Sequence, residues 1–363
     1  MNRGFKGIEY YTSKADLCVC TKWGDNGEFT ITNTYTDDVF GASSSAAVTK
    51  EAKGEIERCY EVKDLGKINK LLGIQVVWNK TTGSISFSQE NYIHSFLDDY
   101  KLQNITPYNT PEPVGQELTA DMCPSNKSEV DEMKDKPYAN LLGKAMYAQV
   151  GTRYDISNTI KNLSCFQKNP GILHWWALLH LLRYLKATAH YKLTYCPPPH
   201  RVTPEEWVKP IRFINADFAA CKDTCKSTLG YAFMMSGSPV SWSSKRQATV
   251  ALSTTEAEYI VLSRASQQLR WMYSWCKEIR FRQSELAILR GDNLGSVRLT
   301  KTTKDHHKVK YINIHHHYLC ELCTEGKIKV QSIQGTDNPD DIFTKPLPRD
   351  TFKRHLESLN MTM

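Results

Sequence analysis

Two adjacent carboxylates, Asp37 and Asp38, stand between runs of β-forming residues, FTITNTYT ending just before the pair and VFG just after it. That pattern places them at the tip of a β-hairpin. Side chains so close repel each other unless a cation lies between them or the turn splays them. Aspartate tolerates left-handed backbone and bonds its own main chain, so a plain turn accounts for the pair as readily as a divalent-cation site. Further acids lie far downstream: Asp217 in FINADF, Glu256 and Glu258 in TTEAEY, Asp292 in LRGDN and Asp341 in NPDDIF. Glu256 and Glu258 are two positions apart, about 200° around a helix, so both cannot face one centre.

Other chemistry is thinner. Lys301, Lys304, His306, His307, Lys308 and Lys310 form a basic loop, suited either to solvent or to phosphates. His315, His316, His317, Cys320 and Cys323 approach metal-ligand spacing, and three of them could share a helical face. No second paired knuckle completes a four-ligand set, so zinc is not expected. Neither a Gly-rich phosphate loop nor a Ser-His-Asp order stands out.

The elements that must position these groups follow from composition and pattern. The chain has 363 residues, 40% hydrophobic and 23% charged, with a net charge of +7. That excludes wholesale disorder, suggests two or three units, and permits a polyanionic partner. The longest helical apolar stretch is interrupted by His174, His180 and Arg183, so no membrane span is expected, and the N-terminus lacks an apolar signal core. Eleven scattered cysteines imply free thiols in a reducing, intracellular compartment, cytoplasmic or nuclear. Pro-rich breaks near residues 107–113 and 197–199 divide the chain into segments 1–106, 107–200 and 201–363. The first alternates β runs (29–35, 73–78, 84–88) with helical pattern, and the second carries helices over 138–148 and 172–186. The third reads as three strands (212–218, 230–235, 240–242), a long helix from 255 to about 279 and a strand 286–290. Helical stretches 294–299 and 314–324, a strand 327–332 and a helical turn reaching Asp341 complete it.

These motifs carry a resemblance. Tyr-x-Asp-Asp between two β runs resembles the catalytic hairpin of reverse transcriptases, and DLGKINKLLGIQV, LLGKAMYAQVGTRYDIS and LLRYLKATAHYKLTY follow. The set is similar, essentially end to end, to the C-terminal part of Pol polyproteins of copia-type LTR retrotransposons. Tyr154 stands where the family usually has Pro, which loosens the start of the next helix but removes no chemical group. The resemblance implies a multi-domain α+β and α/β chain. Its parts are a partial reverse-transcriptase palm and thumb, a helical connection, and an RNase H-like mixed sheet with flanking helices, the element order of segment 201–363. It also implies that a further palm Asp, fingers and another motif belong upstream of Met1. Asp16 and Asp25 do not replace that Asp, so Asp37 and Asp38 are expected to hold metal weakly and autonomous DNA synthesis is not expected.

For the C-terminal segment the resemblance implies carboxylates gathered from distant elements around two Mg²⁺ (or Mn²⁺) ions, cutting RNA in an RNA/DNA hybrid. Asp292, Glu258 and Asp341 match ligand positions, Glu256 being the alternative to Glu258 and a first-turn dipole partner otherwise. Asp340 stands where the family has Ala. Asn215 occupies the first ligand position, where the family has Asp, and a neutral amide weakens metal binding. Asp217, on the same strand face, compensates only if the site shifts by two strand residues, about 6.6 Å. Lys301, Lys304, His306, Lys308 and Lys310 are the expected contacts to nucleic acid. Two readings stay open: a Mg²⁺-dependent nuclease fragment that associates with other Pol segments, or a catalytically dead relic that binds nucleic acid.

Overall fold

The computed structural model describes residues 10–198, 211–281, 287–291, 293–299, 313–333 and 338–362. The chain divides into two compact units, Met1–Asn69 with Gln267–Gln283, and Lys70–Ser266 with Ser284–Met363.

In the first unit an antiparallel meander runs β1 (Tyr11–Thr12), β2 (Val19–Trp23), β3 (Phe29–Tyr35) and β4 (Asp38–Ser43). It is followed by α1 (Ala46–Cys59), which starts where Ser45 accepts a hydrogen bond from the Val48 amide at 3.2 Å. Alternation turns Thr30 and Thr32 to the buried face. Lys22, on the adjoining strand, reaches Glu51 and Glu55 of α1. The β3–β4 connection is a two-residue loop in which Thr36, at φ 51°, takes the left-handed conformation rather than either aspartate. The same unit holds the last turns of a long helix, where Glu278 Oε2 accepts from Ser13 Oγ, Lys14 N and Ala15 N at 2.6, 2.8 and 3.2 Å.

The second unit contains two sheets. One is antiparallel in the order β14-β8-β7-β6-β5, from β5 (Lys70–Leu71), β6 (Ile74–Asn79), β7 (Ser84–Ser88), β8 (Lys192–Tyr195) and β14 (Met361–Thr362). Sharing its core are α2 (Glu90–Asp99), α4 (Tyr138–Gly151) and α6 (Ile172–Ala187), with α3 (Lys127–Met133) against α6, while α5 (Ser157–Ser164) packs on the other sheet. Apolar positions of α2, α4 and α6 at three- and four-residue spacing, among them Ile93, Leu97, Leu142, Leu178 and Leu182, form the core. Between α4 and α5 the TRYDIS segment is wholly buried. Arg153 makes a bidentate pair with Asp155 at 3.0 and 2.7 Å and reaches Thr188, while Tyr184 donates to Asp155 at 2.6 Å. Tyr154 does not loosen the next helix. Its ring packs near Trp242 and Phe343, its hydroxyl bonds Leu359 O at 3.1 Å, and a 3₁₀ turn leads directly into α5.

The other sheet comprises β9 (Ile211–Asp217), β10 (Thr228–Met235), β11 (Ser238–Arg246), β12 (Ala287–Gly291) and β13 (Ile328–Ser332), ordered β11-β10-β9-β12-β13. β9, β10 and β11 pair antiparallel, and β12 is parallel to both β9 and β13. The β10–β11 turn uses Ser236 and Gly237 at φ 52° and 86°, the positive pair a tight hairpin requires. α7 (Thr254–Glu278), α8 (Leu294–Leu299), α9 (Asn313–Thr324) and α10 (Arg349–Ser358) complete the helices among the described residues. No described helix is long and apolar enough to cross a membrane.

Candidate carboxylate site

β9 is the central strand of the second sheet, and its two-residue period sets Asn215 and Asp217 on one face. Opposite them comes a 3₁₀ turn, Pro339–Phe343, locked to the strand by Asn338. Asn338 Nδ2 donates to Ile214 O at 2.9 Å, and its Oδ1 accepts from Asp340 N at 3.2 Å. The approach is close enough that a Cβ at Gly230 on β10 would stand 2.8 Å from Phe343 Cβ. Glycine is the residue that allows it.

The turn delivers Asp341 to Asn215, whose Nδ2 donates both to Asp341 Oδ1 and, at 2.9 Å, to Thr344 Oγ1. Lys345 Nζ lies 3.0 Å from the same Asp341 oxygen. Burial pushes the Asp341 carboxyl up, opposed by Lys345 and Asn215. Asp217 is raised by burial, opposed by Lys161 and Lys345 and reinforced by Asp341. Asp340, fully buried, accepts from Ala232 N at 3.1 Å, while its second oxygen has no hydrogen-bond partner. Burial drives it well above the carboxylate range, with Asp341 and Glu258 adding to the effect.

The start of α7 separates the two glutamates. Glu256 turns back to the helix start, its Oε2 accepting from Leu252 N at 2.8 Å while Ser253 Oγ accepts from Glu256 N at 3.1 Å. Glu258, buried, faces β9 and accepts from Ala216 N at 2.6 Å. That amide is available because β12 pairs with β9 only at Arg212 and Phe213 among the described residues.

Asn215, Asp217, Glu258, Asp340 and Asp341 are thus gathered at one end of β9, and Glu256 is directed elsewhere. Asp292 lies outside the described residues, immediately after the last residue of β12, as do Lys301, Lys304, His306, Lys308 and Lys310. Asp37 and Asp38 are exposed on the hairpin of the first unit. Sequence reasoning passed over Asn338, Thr344 and Lys345 although they lie inside the NPDDIFTK segment, because it sought one ligand there rather than a docking turn. Nothing in the sequence pointed to Lys161.

Domains of this topology use divalent ions in general, which makes the donor set a test. Among the described residues no group of three His, Cys, Asp or Glu side chains could hold a metal ion. The amide at 215 presents hydrogens, not an oxygen, to Asp341, and a lysine ammonium already neutralises that acid. The described residues do not fit a pair of divalent cations.

Three antiparallel strands continued by two parallel ones, with acids from β9, α7 and the turn after β13 converging on the central strand, define an RNase H-like domain. Residues 4–113 match the reverse transcriptase (RNA-dependent DNA polymerase) family. Over 98% of its length the chain is 32% identical to the Retrovirus-related Pol polyprotein from transposon TNT 1-94 of Nicotiana tabacum, of which it covers 26%. It is 41% identical, over 39% of its length and 94% of the other, to Secreted RxLR effector protein 161 of Plasmopara viticola. A solved RNase H1 isolated from compost is 14% identical and covers 41% of this chain and 99% of its own, with a TM-score of 0.30. The chain belongs to the Pol polyprotein family of copia-type retrotransposons and spans about a quarter of the length of the Pol polyproteins it matches. Reverse transcriptase and RNase H-like domains bind nucleic acid in general.

Proposed function

We propose that this chain is a reverse transcriptase/RNase H fragment that holds an RNA/DNA hybrid or other nucleic acid without cutting it. In this reading residues 1–106 are palm and thumb, 107–200 the connection, and 201–363 the RNase H-like domain. The basic stretch containing Lys301, Lys304, His306, Lys308 and Lys310 supplies phosphate contacts, which makes affinity fall steeply with salt. The observation that carries the reading is the Asn215 amide donating to Asp341, where a pair of divalent ions requires an oxygen ligand.

A second reading, Mg²⁺- or Mn²⁺-dependent cleavage of the RNA strand, draws support from the convergence of Glu258 and Asp341 on β9 with Asp292 next in sequence to β12. End-labelled hybrid incubated with the purified chain and either ion separates the two. Retention without cleavage is expected, and cleavage lost in Asp292→Ala would overturn the proposal in favour of the nuclease. Asn215→Asp restoring cleavage to a silent chain would locate the defect at that one atom.

A further inference from the structure

Lys161 belongs to α5, which packs against β11 and the Pro339–Phe343 turn, and its ammonium reaches the next strand, β10: Nζ donates to Thr228 Oγ1 at 2.7 Å. Thr228 is the cross-strand partner of Asp217. Directly opposed side chains of an antiparallel pair share one face and stand about 5 Å apart, so the cation is delivered beside the Asp217 carboxylate. The two charges support each other, Asp217 opposing the effect of burial on Lys161 and Lys161 opposing the effect of burial on Asp217. The helix is held in place by Glu112, buried between Pro111 and Pro113, which accepts from Asn158 Nδ2 at 2.6 Å and Asn162 Nδ2 at 3.0 Å, one on either side of Lys161. Burial lowers Lys161, and Glu112, itself raised by burial, opposes that effect together with Asp217. At the far end Lys345 acts on both Asp217 and Asp341. Acids and ammonium groups therefore alternate from Glu112 through Lys161, Asp217 and Lys345 to Asp341, and the Asn215 amide closes the row.

We infer that Lys161 and Lys345 are the resident counter-ions of this carboxylate row, filling the electrostatic role that divalent cations have in RNase H-like sites. Lys161 is the positioning residue that sets the charge of the site from outside its sheet. The inference deepens the non-cleaving reading but is read out without nucleic acid, so hybrid cleavage would sink that reading and leave this test standing.

Thermal unfolding of the full chain, in EDTA and in millimolar Mg²⁺ or Mn²⁺, tests it, because an ion that binds only the folded state raises Tm by mass action. The wild type is expected to melt at one temperature in all three. Lys161→Gln lowers Tm in EDTA, and either ion recovers part of the loss, since the uncovered carboxylates then attract a cation. Lys161→Arg keeps the wild-type profile. Lys345→Met, at a half-exposed side chain the fold tolerates, shows the same ion-dependent recovery should Lys161→Gln fail to fold. A wild-type Tm that climbs with Mg²⁺, or variants whose losses are equal with and without the ions, would overturn the inference.

Discussion

The hairpin acids Asp37 and Asp38 and the buried acids around β9 carry similar side chains into opposite situations. On the hairpin both are exposed, next to a left-handed Thr36, and water screens their repulsion. Around β9, burial raises Asp217, Asp340 and Asp341, and the fold answers each with a specific partner: Lys161 and Lys345, the Ala232 amide, or the Asn215 amide. Proximity along the chain is a poor guide to a charged centre. Desolvation forces partners into place, and the partners reveal which acids the fold has committed to.

Four measurements would break or sharpen that contrast. The largest effect belongs to the most deeply buried pair: Arg153→Met strands Asp155 in the core and is expected to cost about 3–5 kcal/mol, read by urea unfolding. Asp340→Ala comes next, and its signature is pH dependence. The folded-state pKa of Asp340 lies above its unfolded value, so its contribution to stability is present below the unfolded pKa, near 4, and is lost as pH rises toward the folded one. Relative to wild type the variant therefore gains stability as pH rises above about 4, and an unfolding midpoint difference that does not change with pH would refute a raised Asp340 carboxyl. Thiols repeat the contrast. Burial pushes Cys276 up to about 11, so at pH 8 roughly one molecule in a thousand carries its thiolate. Cys221 is lowered despite its burial, by hydrogen bonds from Thr224 and Arg246, the latter at 3.1 Å. Iodoacetamide followed by peptide mass mapping is expected to label Cys221 well before Cys276. Smallest of all, Asp37→Asn and Asp38→Asn should each shift unfolding by no more than about 0.5 kcal/mol. A larger loss would show that the hairpin pair has a structural partner.

Periodicity made much of the architecture legible. The helices beginning at Tyr138 and Ile172 and the strand-helix order after residue 211 could be read from regular apolar spacing, and the strand at 29–35 from its run of β-branched and aromatic residues. Elements with few residues or polar faces were not: α1 packs through Ala52 and ion pairs, and β8 and β14 are short strands defined only by their neighbours. At the candidate site, Asn215 and Asp341 could be found from motif position, but the direction of the amide could not. Which hydrogens face which oxygens depends on the turn that Asn338 locks. Lys161 was invisible for a simpler reason, since its partner is 67 residues away, with α6, β8 and β9 between them. The role of Tyr154 was also misjudged, because its value lies in contacts with Trp242, Phe343 and Leu359 rather than in local helix geometry.

β14 pairs Met361 with Leu193 of β8, and Leu356, Leu359 and Met361 are sunk in the apolar core beside Leu181 and Leu185. The final residues thus close a sheet begun before residue 100, so the polypeptide from 201 onward is not an excisable module. Severed at 200, it would carry a sticky tail with no seat, and recombinant work on the nuclease-like half is better served by retaining residues 70–200.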